Sequence, residues 1–127
     1  MARSFVTPLS RARGKGSAHE GTHHFIAQRA TALAAIVLTL FLAVILVMLA
    51  GRDYAAARTL IANPFVAAAL TATAAVFCWH MKLGMQVIIE DYVHGRILRP
   101  ALLFANAAFS AAIFLLVVVA IGKIAFS

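Results

Sequence analysis

Three long stretches without a single charge set the terms for this chain. They are Ala30–Gly51, Thr59–Met81 and Pro100–Gly122, of 22, 23 and 23 residues. A helix rises ~1.5 Å per residue, so about 20 residues cross the ~30 Å hydrocarbon core of a bilayer. Each stretch is long enough. Inside lipid every backbone N–H and C=O must be bonded within the protein, which leaves helices or closed barrels. Strand-like alternation is absent, so the reading is an all-α membrane protein with three transmembrane helices, about 25–51, 64–93 and 100–125, in a single domain spanning 1–127. Asn63-Pro64 reads as a cap followed by a proline at the first helical position. Gly95 suits the end of the second helix and Pro100 the start of the third.

Composition agrees. The chain is 64% hydrophobic and 12% charged, where a soluble domain is about half apolar and one quarter charged. The net charge of +7 does not indicate a nucleic-acid partner. The basic residues stand at the ends of the apolar runs, where they set membrane topology. Residues up to Arg29 carry Arg3, Arg11, Arg13, Lys15 and Arg29 with no apolar core, so they read as a basic cytoplasmic tail (1–24) leading into the first helix rather than a cleaved signal. The single cysteine, Cys78, excludes a disulfide framework and reads as a small packed side chain. Small residues run through the second and third spans, and Asn106 and Ser110, one turn apart, mark a packed face on the third.

The residues that depart from membrane filler lie in CWHMKLGMQVIIEDYVHG, 78–95. His80 lies 16 residues past Pro64 and 12 before Tyr92, or about 24 Å and 18 Å along a helix. An ionisable group at that depth faces protein or a cofactor. Two readings stand: an imidazole hydrogen-bonded to a neighbouring helix, or a neutral axial ligand to haem iron. Gly84, one turn on, leaves room for a flat macrocycle or for a close helix. Asp91, about three turns from His80, shares its face. Tyr92 is either an aromatic anchor at the membrane border or a donor to a quinone carbonyl, with Asp91 orienting it or serving a proton path. Lys82 points about 200° away from His80 and must snorkel or meet a partner. Where the chain enters the first helix, Arg29 reads either as a topology anchor or as a ligand for a carboxylate such as a haem propionate. With one deep histidine, the chain cannot supply two axial imidazoles, so a second would come from another subunit.

Two segments, HMKLGMQVIIEDYVHG and HHFIAQRATA, carry a resemblance to a known family. The first is similar to its H-x-x-x-G…DYV pattern and the second to its H-x-F-x-x-x-R-A-T pattern. The chain resembles the hydrophobic membrane-anchor subunit of succinate dehydrogenase, the D subunit of respiratory complex II, over nearly its whole length. The resemblance implies a place in a multi-subunit helix bundle in the bacterial inner membrane, with no covalent chemistry of its own. It implies haem b shared with a second membrane-anchor (cytochrome b) subunit, ubiquinone as substrate, and docking of an iron–sulfur subunit and a flavoprotein subunit. Residue by residue, it implies His80 as haem axial ligand, Arg29 near the haem propionates, Tyr92 as the quinone-binding tyrosine with Asp91 beside it, and His23 in the polar region close by. His24 stands where some bacterial members carry an acidic residue, so this chain has no carboxylate for a proton relay at that position. The alternatives are the anchor of a related fumarate reductase or another two-histidine cytochrome, and a haem-free membrane scaffold.

Orientation follows from Lys and Arg. The tail to Arg29 and the loop holding Arg96 and Arg99 together carry seven; the first loop and the C-terminus carry Arg52, Arg58 and Lys123. The N-terminus is therefore expected to be cytoplasmic. Reporter fusions at Ser4 and Gly95 should read cytoplasmic and those at Tyr54 and Ser127 should read opposite; a cytoplasmic Ser127 would overturn this topology.

Overall fold

The computed structural model describes Thr7, Leu9 and residues 20–126. The tail positions Arg3, Ser4, Arg11, Arg13 and Lys15, and Ser127 at the other end, lie outside the described residues. Four helices follow in order: α1 (Glu20–Leu49), α2 (Tyr54–Ile61), α3 (Pro64–Tyr92) and α4 (Leu98–Phe126). Three of them, α1, α3 and α4, are long and apolar enough to cross a membrane. At 30, 29 and 29 residues each is about 44 Å long, well beyond the ~30 Å hydrocarbon core. Their ends therefore reach the headgroup region on both sides, or the helices tilt.

The expected start of α3 is present in full. Asn63 caps the helix, its side-chain oxygen accepting from the N–H groups of Phe65 (3.0 Å) and Val66 (3.4 Å), and Pro64 is the first residue. Other boundaries differ from the sequence reading. α1 begins at Glu20, so His23 and His24 belong to a helix and not to a tail. It ends at Leu49, and Gly51 turns the chain at φ 73°, a region open to glycine. The next residues form α2, where the sequence reading placed a plain loop running into the second apolar stretch. Asp53 caps it by accepting from Ala56 N–H at 2.9 Å, and three alanines, 55–57, give it helix-forming residues. α3 ends at Tyr92, with Val93 extended behind it, so Gly95 falls in the link rather than at the cap. α4 starts at Leu98, two residues ahead of Pro100. Pro100 sits in the first turn, where a missing N–H has no helical acceptor to lose.

α3 is the middle member of the fold. It packs against α4 on one side and α1 on the other, and α2 touches both α3 and α4. With α1 and α4 each packed chiefly on α3, the fold buries little. Among the described residues the buried apolar side chains are Ile45, Leu83 and Ile89, and the buried polar ones are Thr73 and Ser110. Large apolar side chains such as Val47, Phe65 and Phe104 are mostly exposed, as a surface meeting lipid or other subunits requires.

Hydroxyls in the spans are satisfied at home. Thr31, Thr39, Thr71, Thr73 and Ser110 each donate to the carbonyl four residues back, at 2.6–2.9 Å. That removes the cost of an unpaired polar group in hydrocarbon. Asn106 does more: its amide donates to the Lys82 carbonyl at 2.9 Å and ties α4 to α3. This is the packed face expected from Asn106 and Ser110. Lys82 has its own partner on the same helix, its ammonium lying 5.0 Å from the centre of the Trp79 ring.

Interhelical hydrogen bonds in membranes average only about 0.6 kcal/mol and reach about 1.7. Asn106→Ala should loosen α3 from α4 by that amount in a reversible unfolding assay in detergent. A loss several times larger would mean that Asn106 does more than hold this one carbonyl.

Candidate functional site

His80 sits on the α1 side of α3 and is half-buried. Its Nδ1 lies 2.9 Å from the Thr31 hydroxyl oxygen on α1. That same hydroxyl is 2.8 Å from the Ala27 carbonyl and 3.1 Å from the Gln28 carbonyl. A threonine hydroxyl has one proton and two lone pairs. The carbonyls can only accept, so the hydroxyl donates to them and accepts from the ring. All three contacts are then favourable only if Nδ1 carries the proton. His80 is thereby set as the Nδ1–H tautomer, with the lone pair on Nε2. Among the described residues Nε2 makes no hydrogen bond.

Gly84 also turns toward α1. A Cβ there would stand 3.6 Å from Gln28 Nε2, an ordinary contact distance. The α1 face met by His80 and Gly84 is a polar row on an apolar helix: His24, Gln28 and Thr31, at spacings of four and three. Two of its atoms, His24 Nε2 and Gln28 Oε1, are buried without a partner. Buried polar atoms are nearly always paired, so these two stand out at the α1–α3 interface. Toward the end of α3, a cleft of about 390 Å³ is lined by Gly21, His23, His24 and Ala27 from α1 and by Gln86 and Glu90 from α3. Gln86 Nε2 donates to the Glu90 carboxylate at 2.9 Å.

Other residues singled out from the sequence stand apart from His80. Arg29 is exposed, its guanidinium 4.4 Å from the Phe25 ring centre. Asp91 is exposed, and Tyr92 is 80% exposed. Neither makes a hydrogen bond among the described residues. The chain therefore brings His80, Gly84 and the α1 row together. It leaves Tyr92, Asp91 and Arg29 facing outward near the same end of the spans. Sequence reasoning quoted Thr31 in its R-A-T segment without giving it a role, and passed over Gln28. The signal was the four-and-three spacing of polar residues in α1.

The residues present fit a neutral imidazole ligand to haem iron. One ring nitrogen is committed as a donor, the other has its lone pair open, and a narrow glycine lies one turn away. Among the described residues no group of three or more His, Cys, Asp or Glu is placed to hold a bare metal ion. His23 lies in the first turn of α1 and His94 follows α3, both exposed, so neither is a second ligand in the interior.

Fold and site together define a small, all-helical, multi-pass membrane protein with polar side chains gathered at one end of its spans. Residues 4–120 match the family described as succinate dehydrogenase/fumarate reductase transmembrane subunit. Among similar proteins is a succinate dehydrogenase hydrophobic membrane anchor subunit from Rickettsia bellii, 31% identical over 110 residues, covering 87% of this chain and 88% of the relative. One of the same description from Paracoccus denitrificans is 30% identical over 124 residues, covering 94% and 96%. A succinate dehydrogenase membrane anchor subunit from Reclinomonas americana is 50% identical over 32 residues, covering 25% and 27%. No solved structure gives a significant match. The chain belongs to the succinate dehydrogenase/fumarate reductase transmembrane subunit family.

Proposed function

We propose that this chain is the membrane-anchor subunit of a succinate:quinone oxidoreductase in the bacterial inner membrane, with its N-terminus in the cytoplasm. It performs no covalent chemistry alone. It holds one side of a haem b through His80, contributes Tyr92 to the wall of a ubiquinone site, and gives the flavoprotein and iron–sulfur subunits a place to dock. A second anchor subunit supplies the opposite imidazole and the rest of the quinone pocket.

The observation that carries this reading is the state of His80: an imidazole well inside a spanning helix, its Nδ1–H held by Thr31 and its Nε2 lone pair free. A b-type haem held by His80 would supply one-electron storage inside the membrane. The remaining roles belong to this chain's own groups. Arg29, on the same end of α1, offers a planar cation to propionate carboxylates. Gly84 faces Gln28 of α1 one turn from the ring. Tyr92, exposed at the end of α3, presents a phenol O–H with Asp91 beside it in sequence. The outward side chains support completion by another subunit.

Family membership covers both succinate dehydrogenases and fumarate reductases, while the relatives named above are succinate dehydrogenase anchors. Succinate-dependent quinone reduction by the purified complex separates the two.

His80→Ala should remove haem b from the complex while the helix still inserts. Unchanged reduced-haem absorbance per complex would rule the ligand out. Tyr92→Phe keeps the ring and deletes the donor. A lost hydrogen bond costs about 1 kcal/mol or a little more, several-fold in rate or affinity. Quinone reduction should fall by that factor, while succinate oxidation with an artificial acceptor that draws from the soluble subunits stays intact. Wild-type quinone reduction with normal inhibitor sensitivity would make Tyr92 an interfacial anchor only.

A further inference from the structure

Five hydroxyls in the spans bond back to their own helix, but among the described residues only that of Thr31 also reaches a second one. Its partner, His80, is 49 residues away in the chain. The geometry makes this more than a packing contact. Because the Thr31 proton is spent on the Ala27 carbonyl at 2.8 Å, with Gln28 at 3.1 Å, the hydroxyl cannot turn freely. Its remaining lone pair is therefore aimed by the backbone of α1. The ring of His80 leans on that lone pair and, through it, on α1. No other acceptor serves Nδ1. Gln28 Oε1, one turn away, is buried and unpartnered, so it is not bonded to the ring.

We propose that Thr31 is a positioning residue for the His80 imidazole, fixing its tautomer and ring plane and thereby holding down the reduction potential of the haem it ligates. The inference rests on the haem reading above. A ring that donates from Nδ1 carries more electron density at Nε2 and is a stronger donor to iron. Stronger donation favours the ferric state. Thr31 thus holds the potential lower than an unbonded imidazole would. The same bond holds the ring against rotation about its Cβ–Cγ axis, so the plane of the ligand is set by α1 and not by α3 alone.

The test uses the purified intact complex. Valine has nearly the shape of threonine, so Thr31→Val removes the hydroxyl and little else. Haem content is read from the reduced spectrum, the potential from a redox titration, and the ligand plane from the low-temperature paramagnetic resonance of the ferric haem. Thr31→Val should keep haem at wild-type stoichiometry, shift the midpoint potential upward and alter the ferric signal. Thr31→Ser should return both to wild type. Wild-type potential and signal in Thr31→Val would overturn the proposal, as would equal shifts in Thr31→Val and Thr31→Ser. Should Thr31→Val fail to accumulate, Thr31→Ala against Thr31→Ser decides the matter in the same way. Loss of haem in His80→Ala with an unmoved potential in Thr31→Val would overturn the role of Thr31 alone. A wild-type complex without haem would overturn the ligand reading and this role with it.

Discussion

A polypeptide in hydrocarbon has no water to bond its peptide groups, and every other feature of this chain follows from that. The backbone is helical wherever it crosses because a helix satisfies itself. The hydroxyls of Thr31, Thr39, Thr71, Thr73 and Ser110 fold back on carbonyls of the preceding turn for the same reason. Once backbone and hydroxyls are settled locally, the polar groups left over become conspicuous. They are the imidazole of His80, the amide of Asn106, the ammonium of Lys82, and the row His24, Gln28 and Thr31. Asn106 finds a carbonyl on α3, Lys82 finds an indole, and His80 finds Thr31. What remains unsettled, at His24 and Gln28, lies at the α1–α3 interface.

α3 connects these groups because both of its sides are occupied. One side carries the amide bond to α4 and the buried Ser110 nearby; the other carries His80 and Gly84 toward α1. A cleft of about 360 Å³ between α3 and α4, lined by residues including Cys78, Trp79 and Lys82, stands on a different face from the ring. The fold thus keeps the imidazole away from the lysine cation. It does so with a rotation of about 200° over two residues.

Much of this was legible in the sequence. Charge-free runs of more than 20 residues leave little freedom, and the Asn63-Pro64 cap fixes the start of α3 by local chemistry alone. Asn106 and Ser110 announced a packed face because two polar residues one turn apart do not face lipid. Other features escaped for physical reasons. The helix α2 lies in a stretch whose apolar residues merge with those of the next span, and its cap, Asp53, was hidden beside Arg52 in what looked like a charged loop. The early start of α1 was missed because Glu20 to His24 are polar, and an apolar-run criterion stops where the hydrocarbon stops even if the helix goes on. The tie from His80 to Thr31 is a tertiary contact between distant positions, and only the four-and-three spacing in α1 hinted at it. The outward placement of Tyr92, Asp91 and Arg29 depends on side-chain directions that spacing along one helix leaves open.

The lengths of the spans have a mechanical consequence. Each is about 44 Å long, and α3 touches both of the others. A change in bilayer thickness is met by tilting, and here no span can tilt without pressing on its neighbour. The three therefore lean as one plate, and the imidazole, tied to two of them, leans with it. Its place between α1 and α3 is then unchanged by the lean.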